Sequence, residues 1–102
     1  MRYLLEVTIP NEGGNRNLMS GKLLQSIQRY ADSMKPEAVY AAGDGQRTLF
    51  IILSLNTAEE IPAALEPLWL DLEADVRVVP VLNSEEFGRA MPGIQRVVDA
   101  RK

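Results

Sequence analysis

Apolar and polar residues alternate at the start of this chain, between Arg2 and Ile9. One side of that segment is entirely apolar and carries Tyr3, Leu5, Val7 and Ile9. Because successive side chains of a strand point to opposite faces, this period of two predicts a β-strand with one buried face. Pro10 has no N–H to donate to a sheet, and we therefore expect the strand to end there.

Two further apolar stretches lie on either side of a short polar turn. They run from Ala38 to Gly43 and from Arg47 to Leu55, and Asp44-Gly45-Gln46 lies between them. An Asp-Gly pair between apolar runs favours a hairpin, since the glycine can take the positive φ that such turns need. The second stretch is the most apolar in the chain, and we expect it at the centre of a sheet.

The first helix is predicted from an apolar stripe at helical spacing. Its members are Leu23, Ile27, Tyr30, Ala31 and Met34. We expect a polar loop from Asn11 to Asn17, with Asn15 or Asn17 capping the helix. Gly21 costs about 1 kcal/mol relative to Ala inside a helix. It either permits a close backbone contact or marks a later helix start.

A second helix is predicted after Thr57-Ala58-Glu59-Glu60, which fits a capping box. In this motif the Thr57 hydroxyl and the Glu60 carboxylate each satisfy a backbone N–H. The apolar positions that we expect this helix to bury are Ile61, Leu65, Leu68, Trp69 and Leu72. Pro67 lies in the interior of the segment and is predicted to kink or split the helix, because it removes one hydrogen bond of the helix.

A fourth strand is predicted from Asp75 to Leu82, and Pro80 within it indicates an edge position. Asn83 or Ser84 caps a third helix, which Pro92-Gly93 is expected to interrupt. The resulting order, β-α-β-β-α-β and a final helix, predicts a single α+β domain over residues 1–102. Right-handed crossovers then give a ferredoxin-like antiparallel sheet with strand order 4-1-3-2 and both crossover helices on one face.

The sheet face away from these helices is also partly apolar. It carries Leu4, Tyr40, Phe50, Ile52, Val79 and Val81. Leaving such a face in water is unfavourable by roughly 25 cal/mol per Å², and we expect a second protomer to cover it. Glu6 and Arg77 lie on neighbouring strands of the same face. They are candidates for an interior ion pair that fixes the dimer interface or holds a polar group of a ligand.

The composition excludes several kinds of chemistry but does not identify a reaction. The 102 residues include no Cys and no His, and the formal net charge is −3. Disulfides, thiol catalysis and the usual His or Cys ligands for metals are therefore excluded. Basic residues form no run, which argues against nucleic acid, and no apolar run approaches the roughly 20 residues of a membrane span. The N-terminal residues lack the pattern of a leader, and we expect a cytoplasmic protein.

The chain resembles the dimeric α+β-barrel superfamily, which includes muconolactone isomerases and antibiotic-biosynthesis monooxygenases. It is most similar to one uncharacterised bacterial family of about this length. The residues that carry the resemblance are Ile9-Pro10, Gly14-Asn15, Gly21-Lys22, Lys35-Pro36-Glu37-Ala38 with Tyr40, Gly45-x-Arg47-Thr48, Ile61-Pro62-Ala63, Glu66-Pro67-Leu68-Trp69 and Pro80-Val81. The resemblance implies a homodimer in which two sheets close into a barrel. No activity is known for the uncharacterised family, so the resemblance to it implies none.

From these observations we expect a homodimer that binds a small molecule without a cofactor. A pocket is expected between the sheet and the first two predicted helices. Its candidate residues are Tyr3, Lys22, Gln25, Tyr40, Arg47 and Trp69. One alternative is an isomerase or monooxygenase acting on a small aromatic or lactone-like substrate, with Tyr40, Glu6 or Lys22 handling the proton. A structural or partner-binding module is the other alternative.

Overall fold

Four β-strands and four α-helices form the structure, a computed structural model that describes residues 1–102. Their bounds are β1 (Arg2–Ile9), α1 (Asn11–Ser20), α2 (Lys22–Met34), β2 (Ala38–Ala41), β3 (Arg47–Ser54), α3 (Ile61–Leu72), β4 (Asp75–Pro80) and α4 (Ser84–Asp99). A 3₁₀ turn, Ala58–Glu60, leads into α3. No helix combines the length and the apolar character that crossing a bilayer requires.

The four strands form one antiparallel sheet in the order β2-β3-β1-β4. This is the predicted order 4-1-3-2 counted from the opposite edge, and it is consistent with a ferredoxin-like arrangement. Leu5 of β1 lies opposite Ile51 of β3 and Val78 of β4. The predictions of a central β3 and an edge β4 are therefore confirmed.

The core lies between one face of the sheet and the helices α2 and α3. The apolar face predicted for β1 is buried throughout, and Val7 at its centre is 0% exposed. Leu53 of β3 and Leu68 and Leu72 of α3 complete the most deeply buried group. Each such side chain contributes about 1.5–3 kcal/mol on leaving water, which explains why the alternation along β1 determines which face the helices cover.

The hairpin turn forms as predicted. Gly45 has a φ of +90°, and the Asp44 carboxylate accepts a hydrogen bond from the N–H of Gln46 at 3.2 Å. The strands are shorter than expected, however, since β2 ends at Ala41 and β3 at Ser54.

The predicted loop over Asn11–Asn17 is wrong, because those residues belong to α1. Pro10 precedes the helix with a φ of −66°, which suits a helix start, and no side chain caps it. Gly13 is buried, and a Cβ there would lie 2.6 Å from Oε2 of Glu73. The glycine therefore leaves room for the Glu73 carboxylate beside α1. Gly21, with a φ of +84°, ends α1 and separates it from α2.

The predicted split of a helix at Pro67 and the predicted interruption at Pro92-Gly93 also need correction. α3 is continuous through Pro67, and α4 is continuous through Pro92-Gly93 up to Asp99. A proline removes one hydrogen bond from a helix, but the bonds on either side remain and maintain these two helices. Trp69, predicted to be buried, is 42% exposed on α3.

The capping predictions hold at both later helices. A capping box joins Thr57 and Glu60 ahead of α3. Asn83 caps α4, since its side chain accepts a hydrogen bond from the N–H of Glu86 at 2.8 Å and the Glu86 carboxylate accepts from the N–H of Asn83 at 2.9 Å. The box satisfies two backbone N–H groups at the start of α4.

Candidate functional site

An apolar cleft of about 180 Å³ opens between α2, α3 and the β2–β3 hairpin. Eight of its nine lining residues are hydrophobic. The lining residues are Ile27, Gln28, Tyr30, Ala31, Val39, Leu49, Ile51, Leu68 and Leu72. A concave, mostly apolar site with few polar groups is the usual form of a small-molecule site.

The walls of the cleft come from the same patterns that build the core. Ile27, Tyr30 and Ala31 belong to the predicted stripe of α2, and this spacing places them on the side of the helix that faces the sheet. Val39 of β2 lies opposite Ile51 of β3, and both project toward the helices. The side chains of these walls leave a space of about 180 Å³ between them.

Tyr30 lines the cleft, and its hydroxyl forms a hydrogen bond between two helices. Its hydroxyl donates to the backbone carbonyl of Ala64 on α3 at 2.8 Å. Burial raises the pKa of Tyr30 to about 12, because the phenolate would have to form away from water. At neutral pH this side chain therefore links α2 to α3 as a neutral donor.

Gln28 is the one polar residue of the cleft besides that tyrosine hydroxyl. Its side-chain amide donates to Asp32 at 2.9 Å, one turn further along α2. The cleft contains no carboxylate, no Lys and no Arg. Its chemistry is therefore that of apolar binding, with an amide available at the rim.

Three larger depressions are less suitable as sites, and the smallest of them, about 210 Å³, lies on the surface of β1 and β4 around Glu6 and Arg77. The largest, about 890 Å³, is lined only by residues of α2 between Leu24 and Ser33 and so has no opposing wall. A polar depression of about 400 Å³ lies between α2 and the end of α3. Its lining residues are Asn17, Lys22, Gln25, Ser26, Arg29, Leu70, Asp71 and Glu73. Cations and carboxylates are mixed there, so it offers no field of one sign for a charged ligand.

The six predicted pocket residues do not meet at one place. Lys22 and Gln25 share the polar depression. Tyr3 is buried in the core, with its hydroxyl 3.6 Å from the sulfur of Met1. Tyr40 is exposed on the opposite face of the sheet, where it lies across from Phe50.

The remaining two residues lie apart from those four. Arg47 is at the start of β3, and its Nη1 is buried without a hydrogen-bond partner beside Gly14 of α1. Trp69 is on the outward side of α3. None of the six predicted residues lines the apolar cleft, although the cleft lies in the predicted region between the sheet and these helices.

Glu6 and Arg77 form the predicted pair, with Nη1 of Arg77 3.6 Å from Oε2 of Glu6. The two residues are direct neighbours across β1 and β4, on the face that no helix covers. The Arg77 side chain is 75% exposed, so the pair lies on the surface of the protomer and not in its interior.

Sequence reasoning missed the cleft residues themselves. The signal was present in the stripe of α2 and in the helix-facing positions of the hairpin, Val39, Leu49 and Ile51. That signal is the one that marks any buried face. It cannot separate a filled core from a core with a gap, because the gap depends on distances between elements.

The charged groups form no cluster that suits a metal ion. No three His, Cys, Asp or Glu side chains lie close enough together to hold one. The densest charged contact joins Arg2 of β1 to Glu37 before β2 and to Glu86 of α4. Arg2 lies on the open face of the sheet, opposite Ser54.

Comparison with known proteins adds no identification to this geometry. A scan against protein-family models found no match, and neither did a search of curated proteins. The resemblance to the dimeric α+β-barrel superfamily therefore remains a prediction.

Proposed function

We propose that this protein is a homodimer of the dimeric α+β-barrel superfamily that binds a small apolar molecule without a cofactor. The observation that carries this proposal is the cleft of about 180 Å³ between α2, α3 and the hairpin. It is concave, almost entirely apolar and bounded by three different elements. These are the properties of a binding site, not those of an acid–base site.

The size of the cleft limits the ligand to a single ring or a short branched chain. An apolar protein cavity of about 150 Å³ is large enough to take benzene. The Gln28 side chain at the rim is the group that would meet a polar substituent on such a ligand. A ligand with a charged group inside the cleft would have no counter-charge and would be disfavoured.

The open sheet face supports the dimer. Leu4, Phe50, Ile52, Val79 and Val81 on or beside this face are half-buried, although no helix covers them, and Tyr40 is exposed. A second copy that presents the same face buries both surfaces in one two-fold contact. Two four-stranded sheets meeting in this way form the barrel that the resemblance implies.

The alternatives are supported by no observation of this kind. An isomerase or monooxygenase would use Tyr40, Glu6 or Lys22, and none of these residues lines the cleft. A module without a ligand would have a filled space at this place.

The ligand proposal is tested by titrating isotopically labelled protein with benzene while recording amide chemical shifts. We expect shifts at Ala31, Leu49, Ile51 and Leu68. Ala31→Leu fills the cleft and is expected to abolish them. Ala63→Leu adds the same volume at an exposed position of α3 and is expected to preserve them. Absence of shifts in the wild type, or equal binding by Ala31→Leu, would contradict the proposal.

The dimer is tested separately by sedimentation equilibrium across a range of protein concentrations. We expect a species of twice the 11.3 kDa chain mass. A particle of 11.3 kDa at every concentration would overturn the dimer without bearing on the cleft.

A further inference from the structure

α4 is an amphipathic helix whose apolar side has no partner within its own chain. None of its 16 residues is buried, although the helix continues from Ser84 to Asp99. The apolar residues recur every three or four positions and form a stripe along one side. This stripe consists of Phe87, Ala90, Met91, Ile94, Val97 and Val98. The largest of these side chains, Phe87, is 53% exposed.

The overall dimensions agree with a position of α4 outside the body formed by the sheet and the other helices. The chain measures 60 × 28 × 19 Å, and its radius of gyration is 17.1 Å. A compact chain of this length has a radius of gyration of about 13 Å. A 16-residue helix is about 24 Å long, which accounts for the long dimension if α4 projects from the body as an arm.

The solvent-accessible area of the chain is also larger than that of a compact monomer, and the excess can be compared with the area buried in an interface. The chain exposes 7027 Å². A folded monomer of its mass exposes about 5,700 Å² by the usual scaling. The excess of about 1,300 Å² is larger than the roughly 800 Å² that each partner buries in a stable complex of standard size.

The base of the arm is fixed at the open face of the sheet. Glu86 in the first turn of α4 forms an ion pair with Arg2, which projects from that face at the start of β1. The capping box with Asn83 holds the same turn. The arm and the uncovered sheet face therefore begin at one place.

We propose that α4 packs its apolar stripe against the body, residues 1–82, of a second copy of this chain. This inference rests on the proposed dimer. In a two-fold pair whose open sheet faces meet, the body of the partner lies beside the place where each arm begins. Each copy then supplies both an unpartnered helix and a surface to receive one, so the exchange is reciprocal and closed.

The chemistry of the stripe favours a protein surface as the occupant. Its six positions carry no charge, while Arg89, Arg96 and Asp99 lie on the other side of the helix and Gln95 lies at the border between the two sides. A second copy accounts for the exposed area in excess of a compact monomer, because one interface between two copies buries both the stripe and the open sheet face.

The first test changes the stripe and leaves the rest of α4 intact. Ile94→Glu places a carboxylate in the proposed contact, and Gln95→Glu adds the same residue at the neighbouring polar position. We expect Ile94→Glu to raise the dissociation constant of the dimer at least tenfold and Gln95→Glu to change it less than threefold. Circular dichroism of both variants checks that the helix remains formed. Equal dissociation constants would contradict the proposal.

The second test finds the surface that α4 meets. The chain has no Cys, so Gln95→Cys provides a single site for a spin label. Labelled protein is mixed with isotopically labelled wild type, and line broadening is recorded in the isotopically labelled copy. Broadening of amides within residues 1–82 supports the proposal. A dimer that shows broadening only in α4, or none, overturns the arm contact but retains the proposed dimer. A wild type that stays monomeric overturns both.

Discussion

Arg2 on β1 forms an ion pair with Glu86 on α4, a residue 84 positions further along the chain. The same guanidinium donates to Glu37 at 3.2 Å, so one side chain joins the sheet, the start of β2 and the arm. The pKa of Arg2 is raised, first by the hydrogen bond to Glu37. The pKa of Glu86 is lowered, first by the backbone N–H of Asn83 and further by the charge of Arg2.

The lowered pKa of Glu86 predicts a pH dependence for the attachment of α4. A carboxyl whose pKa is lower in the folded state stabilises the fold above its ordinary value of 4.5, and this contribution is lost as the pH falls through the lowered value. We expect the protection factors of amides in the first turn of α4, which compare the observed exchange rate with the intrinsic rate at each pH, to fall in that range. Glu86→Gln retains a capping-box side chain but removes the charge, so it should exchange faster at neutral pH and show a weaker acid response.

Glu85→Gln is the matched control for this prediction. Glu85 is the preceding residue and pairs with Arg89 within the same helix, on an exposed surface. Its removal should leave the attachment unchanged. Equal exchange in the Glu85 and Glu86 variants would contradict a specific role for the pair with Arg2.

Tyr30→Phe tests the hydrogen bond between α2 and α3. The variant removes the donor to the Ala64 carbonyl without creating a large cavity. We expect a loss of about 0.5–1.5 kcal/mol in the free energy of unfolding at neutral pH, the usual net contribution of such a bond. Urea unfolding measures it, and an unchanged free energy of unfolding would contradict the assignment.

The alkaline behaviour of Tyr30 provides a second prediction for the same side chain. Its pKa rises from 10.0 to about 12 in the folded state. The unfolded chain therefore loses its phenolic proton first, and the stability that depends on a neutral tyrosine is present below pH 10 and declines toward pH 12. The decline is about 2 kcal/mol. Tyr30→Phe should lack it, so the advantage of the wild type should shrink and reverse as the pH rises.

The sheet could be predicted from the sequence because local pattern and tertiary structure agree there. The alternation in β1 corresponds directly to the buried face, and Asp44-Gly45 specifies the turn between β2 and β3. Asn83 predicted the start of α4 because a cap is a local hydrogen bond. In each case the interaction that decides the structure lies within a few residues or within one strand.

The helices were harder to predict because residues with poor helix propensity have tertiary roles in them. Gly13 and Gly14 make Asn11–Asn17 resemble a loop, yet Gly13 is the residue that admits the Glu73 side chain beside α1. Pro67 and Pro92 each weaken a helix without ending it. The sequence contains no local sign of these outcomes, since they depend on what packs against the segment.

The region in which the cleft lies could be predicted, but the residues that line it could not. The region between the sheet and the two helices follows from the topology. The cleft exists because the side chains do not fill the space that α2, α3 and β2 enclose, and the distances between these elements cannot be read from the sequence. Tyr40 and Trp69 were candidates because aromatic rings often line pockets. Tyr40 lies on the opposite face of the sheet, however, and Trp69 lies on the exposed side of α3.

Gly21 predicts opposite effects for two glycine-to-alanine substitutions. At Gly21 the φ of +84° is unfavourable for a residue with a Cβ, although nothing lies within 4 Å to clash with one. We expect Gly21→Ala to cost about 1–2 kcal/mol. Gly88 lies within α4 with open space around it, so Gly88→Ala should stabilise the helix by up to about 1 kcal/mol. Thermal unfolding of both variants measures the difference, and two shifts of the same sign would contradict it.

Substitutions of Glu6 and Arg77 test whether this ion pair lies on an exposed surface or within a dimer interface. In an isolated protomer the pair is exposed, and a double-mutant cycle with Glu6→Gln and Arg77→Gln should give a coupling of about 0–1 kcal/mol. In the proposed dimer the same pair lies between two sheets. Removing one partner there leaves an uncompensated charge away from water, which is far more costly than removing both.

We therefore expect Arg77→Gln alone to weaken the dimer at least tenfold in dissociation constant and the double variant to recover part of that loss. Sedimentation measured over a range of protein concentrations gives both values. The Glu85–Arg89 pair, exposed on α4, is the control and should show no such pattern. If the Glu6–Arg77 variants dissociate no more readily than the wild type, the open face does not lie in the interface, because an unpaired charge there could not be without effect.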